Sequence, residues 1–588
     1  MTEASVSLTG WDWGAFALYL LGLSAIGLWA GRRSADTDES EDYFLAGRSL
    51  PWYVVGSSYI AANISTEHFI GLIGAAFIYG IAVATGEWST VIAFMFLIWL
   101  FIPFLLRAKV FTAPEFLERR FNPQLRFLFA AVTVIANIVA FLAPVIYGGG
   151  LAFSKIIALD QVLGLQAGGN AGLYLMIALI GLLAGGWAIY GGLKSVAWMD
   201  VLTIAIMVGG GLLVTMFGLA ALGGGDIVAG FGEMLSRNAG KGAEYAAAIV
   251  KWAPDIVGSN EYDRLSVIQP LTHQTNPWTH WVFSFFYIGL WYTVINQFLV
   301  QRIFAAKDIY HARMGMTFAS YLKLLLPFIV VVPGLIWFAL NPQILSSAES
   351  LDAVRPVADQ TYVSMIQTLI PIGIKGVLLA ALFGAIQSTV AAVLNSTSTI
   401  LTLDFYKRFF NPAASEHSLV GLGRIITAVV LALAIGLGIW ISTLGESLFV
   451  YIQELYTFFA PPFSAIFLLG TLWRRINGTG ALWTVILGFA FGIAVKIMVQ
   501  TGSAPDLLVP YANQGLLNWA LCMVLCTLIS LATPPPLPAQ VTDDLAFNFR
   551  KMNLGGGLGG PWYKSVPFWS IGAIVLMFGF MLVFSVLL

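Results

Sequence analysis

The sequence predicts an all-α polytopic membrane protein of about fourteen transmembrane helices, with a five-plus-five inverted-repeat core in which the first helix of each repeat is broken. Three observations carry this. Hydrophobic side chains make up 59% of the 588 residues and charged ones only 10%, far below the roughly 25% charge of an average soluble domain. Apolar stretches of spanning length, about 17–25 residues, recur along the whole chain. One of them carries Asn63, Ser65, Thr66, Glu67 and His68 in near succession, and hydrocarbon tolerates such a group only where it is buried in protein or lines a wet cavity.

The expected spans lie near 13–31, 51–78, 84–106, 124–156, 172–190, 194–223, 277–303, 311–341, 372–406, 419–443, 446–473, 478–500, 512–533 and 566–588. With the N-terminus outside, the alternate loops hold 20 of the 29 Lys and Arg residues, which makes those loops cytoplasmic and both termini extracytoplasmic. Met1-Thr2-Glu3 lacks the basic start of a cleaved signal peptide, so 13–31 is read as a mature span. The organisation that follows is a peripheral start over 1–50, a first repeat over 51–223, an external segment over 224–276 containing Trp252 and Pro254, a second repeat over 277–475, and terminal spans over 476–588. A second polar segment, 342–371, also falls outside. A Pro/Gly-rich cytoplasmic linker, 534–564, leads into the last span.

Inverted-repeat carriers interrupt the first helix of each repeat at mid-membrane, where freed carbonyls and half-helix ends face a solute and an ion. In the first repeat this expectation falls on Ala61–Ser65. In the second it falls on Ile288-Gly289-Leu290, where Gly289 loosens the helix by roughly 1 kcal/mol relative to Ala. Buried ionisable and amide groups at matching depth are Glu67, His68, Glu87, Lys323 and Gln453. Lys323 lies deep in its span and needs an acceptor there.

Specific motifs accompany these features: Asp42-Tyr43-Phe44-Leu45-Ala46-Gly47-Arg48, Ala61–Phe69, Gly86-Glu87-Trp88, Tyr190-Gly191-Gly192-Leu193, Asn296-Gln297 with Gln301-Arg302, Lys323 before Pro327, Leu394-Asn395-Ser396-Thr397 and Tyr451-Ile452-Gln453. In this order, over roughly 40–475, the chain resembles the sodium:solute symporter family in its sodium/glucose (galactose) cotransporter branch. The resemblance implies the amino-acid/sodium symporter-like fold and sodium-coupled symport of a small polar solute by alternating access. It implies a sodium site made of the carbonyls of Ala61, Ile64 and Ala385 and the hydroxyls of Ser388 and Thr389, with Asp200 on the exit path. It implies solute contacts at Asn63, His68, Glu87, Tyr292, Lys323 and Gln453, and gating by Phe449 and Tyr292. Members with a second sodium place hydroxyls one turn beyond the Ser-Thr pair, where this chain has Ala391 and Ala392, so one sodium per solute is expected.

Two departures bear on the solute. Gly289 stands where related sugar carriers have a polar sugar contact, and Thr293 where they usually have Trp. The resemblance implies a glucose- or galactose-like monosaccharide as the solute, with myo-inositol or a carboxylate as alternatives, and a non-transporting sugar sensor as the alternative of another class. Sodium is the only metal expected, as a co-transported ion, and no cofactor. A net charge of −1 argues against nucleic acid as a partner; the partners are solute, sodium and the lipid bilayer. No nucleophile–base pair or phosphate loop suggests an enzyme, and His273, His280, His311 and His417 are scattered. Cys522 and Cys526 share an apolar helical face and read as packing residues. The expected location is a plasma membrane, with a bacterial inner membrane favoured.

Overall fold

The computed structural model describes residues 8–34, 40–108, 110, 112–164, 170–240, 263–271, 273, 275–443, 448–548, 550–551 and 555–587. Trp252 and Pro254, in the middle of the expected external segment, lie outside them. Helices make up the fold, and the one extended pairing among the described residues is an isolated parallel bridge between Leu50 and Ala306.

Twelve of the described helices are long and apolar enough to cross a membrane, and a bent pair, Trp278–Ile295 with Gln297–Phe304, makes thirteen. The difference from fourteen arises at one place. Glu67–Ala108 forms a single apolar stretch that takes in the second half of the expected span 51–78 and all of 84–106. The first half is the separate helix Trp52–Asn63, 12 residues long and so only about 18 Å. The stretch turns at Gly80, whose φ of 75° and closeness to Arg264 exclude a side chain: a Cβ there would lie 2.3 Å from Arg264 O. Ala171–Ile189 and Gly192–Leu222 likewise meet at Gly192, with φ 59° and ψ −160°.

Lys375–Thr399 is the central helix, with nearly every residue buried; it packs on Ala171–Leu222, Gly10–Ser34 and Trp52–Asn63. Without a hydrophobic force between helices in lipid, close approach depends on small residues. Gly56 and Gly315 show this, since a Cβ on Gly56 would lie 2.5 Å from Gly315 O. That contact joins Trp52–Asn63 to Ile309–Val330. About two turns further along each helix stand Asn63 and Lys323. Gly478–Gln500, Tyr511–Ala532 and Val566–Leu582 turn Ile493, Ile497, Val524, Leu528, Ile571 and Val575 outward, as helices facing lipid tails do. Cys522 and Cys526 are free and buried.

Both breaks exist; the first is shorter than the sequence suggested and the second lies later. Residues 61–63 remain helical, and the first interruption is Ile64–Ser65, with Ile64 extended at φ −88° and ψ 123°. The second is not at 288–290, where the backbone is a widened helix. It is at Asn296, extended at φ −65° and ψ 117°, where the span bends by 51°. The Asn296 side chain caps the continuation by accepting from Phe298 N at 3.3 Å, so an amide rather than a glycine makes this break. The polar segment 342–371 holds three short helices, Gln343–Ser346, Leu351–Ala358 and Thr361–Leu369. The 534–564 linker is held under the bundle through Phe547, whose N–H donates to Thr471 O at 2.8 Å and whose ring meets Phe104 at 4.5 Å.

Candidate ion and solute site

The first break is made by side chains that take over backbone donors. Ser65 N donates to His68 Nδ1 at 3.3 Å and Glu67 N to Ser65 Oγ at 3.1 Å, so the carbonyls of Ala61 and Asn63 lose those helical partners. The central helix meets the freed backbone with Thr389, whose hydroxyl reaches Ala62 O and Ile64 O, each at 3.1 Å. Ala61, Ile64, Ala385, Ser388 and Thr389 are all buried. Ser388 Oγ has no hydrogen bond of normal geometry, although such a buried hydroxyl ordinarily finds one. The Thr389 hydroxyl thus meets the Ala62 and Ile64 carbonyls rather than that of Ala61, and such neutral oxygens suit a hard monovalent cation, which exchanges hydration for carbonyl and hydroxyl dipoles.

Asp200 was expected on a path to water. It is fully buried beside Ser388 and accepts from Ser58 Oγ at 2.6 Å. Ser58 in turn accepts from Arg302 Nε at 3.0 Å. A buried carboxylate is thus joined to a buried guanidinium through one hydroxyl, next to the gathered oxygens. Ala391 and Ala392 are fully buried and supply no side-chain oxygen.

Six of the expected solute residues meet in one cavity of about 90 Å³, several times the roughly 10–15 Å³ that one water needs. Lys323 Nζ lies 2.6 Å from Glu87 Oε2 and donates to Asn63 Oδ1 at 2.5 Å. Asn63 Nδ2 donates to Tyr292 OH at 2.9 Å. His68 Nε2 stands 3.5 Å from Glu87 Oε1; because Nδ1 accepts from Ser65 N, Nε2 carries the proton in neutral His68. Gln453 donates to Glu67 Oε1 at 3.1 Å and Tyr456 to Glu67 Oε2 at 3.2 Å. Tyr292 packs among Phe141, Tyr456 and Phe298. The acceptor that Lys323 needed is therefore Glu87, with Asn63 beside it.

Phe449, one turn before Gln453, is buried but does not line the cavity. It lies against Gly71, where a Cβ would meet Phe449 Cβ at 3.1 Å. Among the lining residues absent from the expected set, Ser89, His280, Ser284 and Tyr456 bring polar side-chain groups to the wall. His280, set aside as a scattered histidine, is part of the wall. Its position nine residues before Gly289 on the broken span was the available signal.

The two groups of residues share the first break. Asn63, bonded to Lys323, directly precedes Ile64, whose carbonyl Thr389 reaches. The broken spans also touch each other there, since Tyr59 OH donates to Thr293 O at 3.0 Å.

The model of the sodium:solute symporter family matches residues 43–488. A sodium/glucose cotransporter of Vibrio parahaemolyticus is 34% identical over 553 residues, covering 92% of this chain and 94% of that protein. A sodium/myo-inositol cotransporter of Mus musculus is 30% identical, covering 90% of this chain and 74% of that protein. Among solved structures, a sodium-coupled sialic acid symporter in a substrate-bound, outward-open state superposes with a TM-score of 0.70 at 21% identity, covering 90% of this chain and 99% of that one.

Proposed function

The chain belongs to the sodium:solute symporter family, and from that premise we propose that it carries a polyhydroxylated ring, a glucose- or galactose-like monosaccharide, together with one sodium ion. The observation that carries this reading is the sharing of Asn63–Ile64 between the two groups of polar residues. Sodium held by oxygens of Ala61, Ile64, Ala385, Ser388 and Thr389 fixes the break, and the fixed break presents Asn63 to Lys323 and to the solute. Binding of each then favours binding of the other, which is what coupling requires.

The solute residues suit hydroxyls. Glu87, Asn63, Gln453, His68 and Lys323 offer donors and acceptors in a small volume, and Tyr292 offers an aromatic face. A carboxylate fits less well, because the single ammonium of Lys323 is already opposed by Glu87 and Glu67. Myo-inositol is the second reading, favoured by Gly289 and Thr293, which depart from related sugar carriers. Asp200 and its link through Ser58 to Arg302 supply a charged station for the ion on its way to the cytoplasm, and Phe449 with Tyr292 gates the solute.

The driving force is adequate. One cation crossing about 100 mV gains about 2.3 kcal/mol, and a tenfold gradient adds about 1.4 kcal/mol. The sum sustains roughly 500-fold accumulation of a neutral solute. The protein works in a plasma membrane with both termini outside. The test is uptake of labelled glucose, galactose and myo-inositol into proteoliposomes under an imposed sodium gradient, with the reversal potential read for stoichiometry. Accumulation above equilibrium with one sodium per solute supports the proposal; binding without accumulation supports a sensor.

A further inference from the structure

We propose that Ser89, Ser284 and His280 form a specificity-determining wall that hydrogen-bonds one ring hydroxyl of the solute, an inference that rests on the polyol reading above. Two helices make the wall, Ala84–Phe96 and the first part of the second broken span, Trp278–Ile295. They meet through small residues. A Cβ on Gly86 would lie 3.7 Å from His280 Nε2, and one on Gly289 would lie 3.4 Å from Ala93 Cβ. Between these contacts Ser89 Oγ and Ser284 Oγ face each other at 3.3 Å. The seam from Gly86 to Ala93 runs about 10 Å along the helix, and Gly86, Ser89, Ala93, His280, Ser284 and Gly289 all line the cavity.

Serine and threonine in membrane helices ordinarily spend their hydroxyls on the carbonyl four residues earlier. The neighbours here do so with short bonds: Thr90 to Gly86 O and Thr293 to Gly289 O, each at 2.6 Å. Ser89 and Ser284 do not. Ser89 comes only within 3.5 Å of Gly86 O, and Ser284 has no carbonyl partner among the described residues. Their mutual contact is longer than the roughly 2.7–2.8 Å of a well-formed O–H···O bond. Both side chains are buried, so two hydroxyls with unused capacity stand at the cavity surface.

His280 repeats the pattern. Its Nδ1 is paired with Tyr287 OH at 2.7 Å, which fixes the ring, while Nε2 has no hydrogen-bond partner among the described residues. Gly289 brings no polar group to this wall and the Thr293 hydroxyl is committed to its own helix. Reading the solute on this side therefore falls to Ser89, Ser284 and His280, across the cavity residues that include Asn63, Glu87, Lys323 and Gln453.

A site built to bond a hydroxyl rejects the analogue that lacks it, because its own buried groups are then left unpaired. The test is sodium-driven uptake of the accepted solute and its series of monodeoxy analogues by the full-length protein and by Ser89→Ala/Ser284→Ala, with Ser89→Ala, Ser284→Ala and His280→Gln measured separately. The wild type is expected to lose at least tenfold in KM for one particular deoxy analogue. In the double variant that penalty shrinks to within about twofold, while penalties at other ring positions and the half-saturating sodium concentration stay unchanged. The single variants and His280→Gln, which keeps a donor and an acceptor, serve if the double variant folds poorly. Equal deoxy penalties in wild type and variants, with sodium-driven uptake intact, overturn this inference alone. Absence of sodium-driven uptake for every polyol overturns the reading beneath it as well.

Discussion

Lys323 Nζ sits 2.6 Å from Glu87 Oε2, with both side chains largely out of solvent, and Asn63 holds the same ammonium at 2.5 Å. Breaking such a pair from one side leaves an uncompensated charge and costs about 3–5 kcal/mol, whereas removing both partners costs far less. Lys323→Met is expected to abolish uptake and to lower the melting temperature of the detergent-purified protein. Lys323→Met/Glu87→Met is expected to restore most of that melting temperature without restoring uptake. Equal melting temperatures for wild type and Lys323→Met would show that the pair is not held as described.

The second break depends on Asn296 rather than Gly289. A Cβ on Gly289 meets nothing nearer than 3.4 Å, so Gly289→Ala is expected to leave melting temperature and sodium-driven uptake close to wild type. Asn296→Ala removes a helix cap worth about 1 kcal/mol and the side chain that fixes the extended residue, and uptake is expected to fall at least tenfold. Gly56→Ala supplies a contrast: its Cβ would collide with Gly315 O at 2.5 Å, and a large loss of stability follows. Differential scanning fluorimetry alongside uptake checks all three.

A separate ion-pair network closes one end of the bundle. Arg126 donates to Asp404 Oδ1 through Nε at 2.8 Å and Nη2 at 2.5 Å, and also pairs with Glu118. Arg408 reaches Glu118 at 2.7 Å, and Thr112 donates to Asp404 at 3.1 Å. Asp404 is fully buried. Arg126→Ala is expected to destabilise by about 3–5 kcal/mol, and Arg126→Ala/Asp404→Ala by clearly less; additive losses in melting temperature would contradict this.

The sequence made the spans legible because apolar length is a strong signal, and it exposed the first break because five polar residues crowd into it. It drew the first break too long and misplaced the second, each for a physical reason. At the first, helix continues until Ser65 N is captured by a histidine three residues later, a choice that composition does not display. At the second, Gly289 is the conspicuous residue, yet a widened helix absorbs it, and an ordinary-looking asparagine provides the cap. Ser89 and Ser284 were illegible because lone hydroxyls in membrane helices ordinarily serve their own backbone; only the unmade bonds distinguish these, whereas the place of His280 on the broken span was a signal. The Arg126–Asp404 pair joins residues 278 positions apart, beyond the reach of local pattern.

The account rests on a cation held between the first break and the central helix, where Thr389 Oγ1 stands 3.1 Å from Ile64 O. The most direct measurement is the sodium dependence of solute uptake in proteoliposomes containing wild type, Thr389→Ala or Ser388→Ala/Thr389→Ala. The half-saturating sodium concentration is expected to rise at least tenfold, about 1.4 kcal/mol, in Thr389→Ala, and accumulation against a gradient to vanish in the double variant. Uptake that ignores sodium in the wild type, or full coupled accumulation in the double variant, would contradict the account.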